Sequence, residues 1–168
     1  MVIPSGMSVS FDPARVVSPA DASQPVSIDS LGTAGSLAQT NGTLNIGAGG
    51  MALAGYTQNG GALTNAGTTS LTSFSQSAGS FTGAGDFTAA DFSQTGGTTI
   101  LSGDFTVTSN FSQTGSGTIK VGGNTSITDN SGGLSVGNLD TTGTTDLVSN
   151  DGSITQQAST TFVSSGNA

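Results

Sequence analysis

The chain has 168 residues, with 27 glycines, no cysteine, no histidine and a formal net charge of −8 from ten acidic residues against two basic ones. That composition excludes disulfide and thiol chemistry and any zinc or haem site built on Cys or His, and the two isolated cations, Arg15 and Lys120, make no surface for a phosphate backbone. No stretch reaches the roughly 20 apolar residues that cross a bilayer, so neither nucleic-acid binding nor membrane insertion is expected.

The opening stretch, MVIPSGMSVSF, has neither a basic n-region nor a continuous apolar h-region and does not read as a signal peptide. All four prolines, at 4, 13, 19 and 25, precede residue 26. Proline cannot donate to a sheet ladder, so residues 1–25 are expected to form an imperfect N-terminal end coil or cap.

From residue 26 to 168 the chain reads as a repeat array, clearest over 39–128. An aromatic recurs as Tyr56, Phe74, Phe92 and Phe111, at intervals of 18, 18 and 19, and a glutamine follows two residues later as Gln58, Gln76, Gln94 and Gln113, preceded by Gln39. A glycine-rich corner comes next, and after it an apolar position is assigned to Val26, Leu44, Leu63, Phe81, Ile100 and Ile119. A third position holds Leu53, Leu71, Ala89, Val107 and Ile127, with Met51, Thr69, Phe87, Phe105 and Thr125 two residues before each. Beyond Ile119 the period weakens, and Leu134, Val136, Leu139, Leu147, Val148, Ile154, Phe162 and Val163 are less securely placed.

Period-2 pairs over three to five residues mark half-buried strands, and Gly-Gly, Asn-Gly and Asp-Gly supply corners where positive φ is cheap. Hairpins would reverse alternate modules, whereas a solenoid stacks equivalent residues about 4.8 Å apart. The fold class expected is all-β: a right-handed parallel β-helix with 18–19 residue coils, about eight in all. A left-handed hexapeptide helix fits less well, because the apolar intervals are six then five from Phe81 and five then six from Ile100.

The aromatic stripe is expected to be core. The glutamine row is expected at a corner or pointing outward, as a ladder between coils. On that reading Gln58, Gln76, Gln94 and Gln113, with Ser93 and Thr95, form the candidate binding surface, and Thr99 belongs to the same open face. No nucleophile, acid or base constellation appears, and no catalytic residue is assigned. Asp86 and Asp104 lie one coil apart before Phe87 and Phe105, near Asp91, and are candidates for weak Ca²⁺ binding or for a solvated acidic corner. No cofactor is otherwise implied. A Thr ladder of the ice-binding kind is out of register at Thr68 and Thr98.

The phrases FSQTGGTTI at 92–100 and FSQTGSGTI at 111–119, with GGNT at 122–125, resemble the repeat regions of filamentous haemagglutinin-like exoproteins of two-partner secretion and of autotransporter passengers. The resemblance implies a right-handed β-helical rod outside a Gram-negative cell, often serving adhesion, aggregation or biofilm growth. The Asn-Pro-Asn-Leu signature of the two-partner family does not occur near the start. The expected function is therefore a non-enzymatic shaft segment of an extracellular adhesin or matrix protein, with a host glycan or surface protein as partner. Two alternatives stand beside it: a filament subunit associating end to end through unpaired strand edges, and a polysaccharide-binding or polysaccharide-cleaving β-helix.

Overall fold

The structure is a computed structural model that describes residues 25–166. The end coil expected over 1–25 thus lies outside the described residues, apart from Pro25. The described chain contains no helix and winds as a β-solenoid of about seven turns. The expected count of about eight had included that first coil.

Three long strands run through their corners without a break: β1 (Val26–Gln39), β2 (Thr43–Asn65) and β3 (Thr69–Gly83). The later coils divide into β4 (Phe87–Gln94), β5 (Thr98–Leu101), β6 (Phe105–Gln113), β7 (Thr118–Val121), β8 (Thr125–Asp129), β9 (Ser135–Val136), β10 (Asn138–Thr141), β11 (Thr145–Ser149), β12 (Thr155–Gln156) and β13 (Phe162–Ser164). Every pairing between them is parallel and joins a residue to its equivalent in the next coil. One wall stacks Phe81, Thr99, Ile119, Leu139 and Phe162. The second stacks Met51, Thr69, Phe87, Phe105, Thr125 and Thr145, and the third Leu37, Tyr56, Phe74, Phe92 and Phe111. The offset between partners grows from 18 residues at Phe87 and Phe105 to 20 at Thr125 and Thr145 and 23 at Leu139 and Phe162. Lengthening corners, not lost strands, explain why the period fades after Ile119.

The interior is one continuous column. Phe74 and Phe92 stack at 4.9 Å between centroids and Phe92 and Phe111 at 5.5 Å, while Phe87 meets Phe74 edge-on at 5.4 Å. Aromatic pairs of this kind add about 0.5–1.5 kcal/mol each beyond the area they bury. The columns through Leu53 and Met51 are buried as the alternation predicts.

The assignment of Ile100 is corrected. Thr99 pairs with Phe81 and Ile119 and is fully buried, whereas Ile100 points outward at 42% exposure and Leu101 returns to the interior. The spacing from the glutamine explains it. Leu44, Leu63 and Phe81 each follow the ladder glutamine by five residues, and five residues beyond Gln94 stands Thr99. Backbone geometry at the corner fixes which residue faces inward, and the apolar neighbour does not override it.

Candidate functional surfaces: the glutamine ladder and the corner columns

The glutamines are inside. Gln39, Gln58, Gln76, Gln94 and Gln113 are all buried, so the four taken as a binding surface present nothing to a ligand. Strand geometry requires this: Phe92 and Gln94 are two residues apart on β4 and share a face, as do the pairs in the coils above and below. Their burial is affordable because the amides satisfy one another. Gln76 Nε2 donates to Gln58 Oε1 at 2.9 Å, Gln94 Nε2 to Gln76 Oε1 at 2.7 Å and Gln113 Nε2 to Gln94 Oε1 at 3.1 Å.

The second N–H of each amide reaches a carbonyl in the following coil: Gln58 to Ser80 O, Gln76 to Thr98 O, Gln94 to Thr118 O and Gln113 to Asn138 O. Gln113 Oε1 closes the ladder by accepting the Gly137 N–H, and at the other end the Tyr56 hydroxyl donates to Gln39 Oε1. Tyr56 is buried with the rest of the aromatic stripe, and its hydroxyl finds a partner in the glutamine. Burial pushes its phenol well above the ordinary value. Thr99 fits the interior because its hydroxyl donates to Gln76 Oε1 at 2.9 Å. A buried polar network with every member paired avoids the desolvation cost of orphaned groups.

Of the remaining candidates, Ser93 is half-buried on the outer side of the third wall and Thr95 is exposed at the corner, while Thr99 leaves that face altogether. Outward registers instead align Ser70, Thr88, Thr106 and Ser126 on the second wall and Thr57, Ser75, Ser93 and Ser112 on the third. On the first wall Ile100, Lys120, Asp140 and Val163 stack outward in register, beside shallow depressions lined in part by Ser102, Gly122 and Thr142.

Asp86 and Asp104 do stack on adjacent coils and both are exposed, as expected. What they bind is backbone. Asp86 Oδ1 accepts the Asp104 N–H at 3.0 Å, and Asp104 Oδ1 accepts the Asn124 N–H at 2.7 Å. Asn124 Oδ1 then accepts the Thr144 N–H at 3.0 Å. An amide does the same work as the carboxylates one coil on, so the column needs an acceptor and not a charge. Asp91 stands in a different column, where its Oδ1 accepts from Asn110 Nδ2. The period alone did not single out Asp129, which is buried and accepts the Phe111 N–H and the Ser131 N–H with its two oxygens. Among the described residues no group of three or more His, Cys, Asp or Glu converges on a point where a metal ion would sit.

No protein-family model, curated protein or solved structure matches this chain.

Proposed function

We propose that this chain is a non-enzymatic shaft segment of an extracellular bacterial adhesin or biofilm-matrix protein. The observation that supports the reading is where its polar chemistry goes. The glutamines hold one another and the next coil, and Asp86, Asp104 and Asp129 each accept backbone N–H groups. Side chains spent on joining coil to coil suit a part whose task is length and stiffness. The likeness of the FSQTGGTTI repeats to haemagglutinin-like and autotransporter shafts points the same way. Partners of such a shaft, a host glycan or surface protein, would meet the outward Ser and Thr columns.

Antibodies raised against the purified chain test the location. Labelling of intact, unpermeabilised cells of the source bacterium is expected, and labelling only after permeabilisation would overturn the reading. Release of oligosaccharides from a panel of acidic and neutral polysaccharides, with or without Ca²⁺, would instead place the chain among the cleaving β-helices.

A further inference from the structure

The chain holds two Asn-Gly pairs, at 41–42 and 59–60, and the sequence alone gives no reason to tell them apart. The fold does. Asn41 is exposed and stands with Gly42 in the corner between β1 and β2, outside any strand. Its side chain is turned back on its own backbone, where Asn41 Oδ1 accepts the Gly42 N–H at 2.8 Å. The Gly42 nitrogen thus lies on the same side of the chain as the amide carbon of Asn41, Cγ. Gly42 holds φ at 74°, and without a Cβ it leaves the approach to that carbon open. Asn59 and Gly60 lie within β2 instead. Asn59 pairs with Ala78 in the next coil and its Oδ1 accepts the Ser77 hydroxyl at 2.9 Å, so a ring closing there has first to break the ladder.

We propose that Asn41 is a site of spontaneous covalent rearrangement, and that Asn41, not Asn59, carries the conversion of the folded chain to isoaspartate. First the Gly42 amide gives its proton to base and its nitrogen bonds to Asn41 Cγ. The Cγ–Nδ2 bond breaks, and Nδ2 takes up a proton and leaves as ammonia. Water then opens the five-membered succinimide. Addition at Cγ breaks the new bond to the Gly42 nitrogen and leaves an aspartate at position 41. Addition at the main-chain carbonyl carbon of residue 41 breaks the original peptide bond, and the chain then runs through the side chain as isoaspartate. The balance is one water in and one ammonia out, with no oxidant or reductant.

Isoaspartate lengthens the backbone by a methylene at a corner without slack. Gly42 O accepts the Ala62 N–H at 2.8 Å and Gln39 Nε2 at 3.1 Å. A Cβ at Gly61 would sit 2.5 Å from the same oxygen, so the two corners are stacked in close contact. Displacing Gly42 O withdraws one of the two acceptors of the Gln39 amide and loosens β1 from β2. Charge plays the lesser part, because a carboxylate at 41 still offers an acceptor to the Gly42 N–H. The inference does not rest on the shaft reading and holds for any function of the chain.

Peptide mapping by mass spectrometry, with electron-transfer fragmentation to tell isoaspartate from aspartate, is the test. The 168-residue chain is held at mildly alkaline pH, folded or in enough urea to unfold it. In the folded chain Asn41 should lose its amide at least about tenfold faster than Asn59, the ratio reflecting the local opening that β2 requires. In urea, where both Asn-Gly pairs are free, the two rates should converge. Hydrogen exchange reads the consequence: the Ala62 amide should exchange faster in the isoaspartate fraction than in fresh protein, and Asn41→Asp should keep the exchange of fresh protein there. Equal rates at the two asparagines in the folded chain, or an Asn41 that persists while the unfolded chain reacts, would overturn the site. Unchanged Ala62 exchange in the isoaspartate fraction, or equally fast exchange in Asn41→Asp, would overturn the loosening by a lengthened backbone.

Discussion

Gln76 is a four-way junction in the interior: it donates to Gln58 and to Thr98 O, and it accepts from Gln94 and from the Thr99 hydroxyl. Gln76→Leu keeps the volume and orphans its buried neighbours, so it should cost at least about 2 kcal/mol, read from urea unfolding. Thr99→Val removes one donor and leaves Gln76 Oε1 its bond from Gln94, for a loss of about 1 kcal/mol. Equal stability of wild type and Gln76→Leu would sink the ladder as a structural element. Tyr56, the chain's only tyrosine, gives a second handle. Its folded-state pKa is raised above the ordinary 10.0, so the unfolded chain ionises first. Stability is then level below pH 10 and falls above it, by up to about 1.4 kcal/mol per pH unit. Unfolding free energies from about pH 8 to about pH 11 should show that slope in wild type and lose it in Tyr56→Phe. The inward position of the glutamines was legible all along, since Phe92 and Gln94 share a strand face by alternation. Expecting a polar residue outside obscured it, because a single sequence position does not reveal that its equivalents will supply the missing hydrogen bonds.

Corners are where the element scale is decided. Gly42, Gly61, Gly79, Gly97 and Gly115 all hold positive φ, and the pattern of glycines before each wall did mark them. At Gly79 a Cβ would also sit 2.5 Å from the Gly61 carbonyl oxygen, so the corner of one coil leaves no room for a side chain on the next. Gly132 has similar φ with nothing within 4 Å. Gly132→Ala should thus lose only the conformational term of about 1 kcal/mol, and Gly79→Ala clearly more, in thermal melts of the two variants side by side. Similar melting temperatures would mean that stacked corners yield easily. The acidic corner invites a different comparison. Asn124 already does at its own coil what Asp104 does one coil earlier. Asp104→Asn should therefore melt with wild type, and millimolar Ca²⁺ should move neither; a calcium shift confined to wild type would restore a metal role to Asp86 and Asp104. The outward turn of Ile100 belongs to this scale too. Hydrophobicity favoured Ile100, the count from the glutamine favoured Thr99, and the corner obeyed the count.

Along the whole molecule, each coil touches only its neighbours, so stability is close to a sum of coil and interface contributions. Those contributions are uneven. The middle carries the stacked Phe74, Phe92 and Phe111, the crossing Phe81, Phe87 and Phe105 and the glutamine ladder. Beyond Val136 no aromatic follows until Phe162, and the coil from Thr145 to Ser164 ends on half-buried side chains. The same gradient governed what the sequence displayed: repeats were plain where coils are 18 or 19 residues long and ring-packed, and faint where longer corners carry the chain to a looser end. Hydrogen exchange on a dilute, monomeric sample should follow it. Amides of 69–113 should open last and those of 145–164 first, with rates separated by about a hundredfold or more if the local opening energies differ by roughly 3 kcal/mol. Phe92→Ala removes the ring that touches Phe74, Phe87, Phe105 and Phe111, at a cost of about 3–5 kcal/mol. Because coupling passes from coil to coil, the lost protection should be greatest over 69–113 and should leave 145–164 nearly unchanged, that end already opening without the middle. Uniform protection along wild type, or an equal loss at both places in Phe92→Ala, would show one all-or-none unit and would remove the coil-by-coil account of how this solenoid holds together.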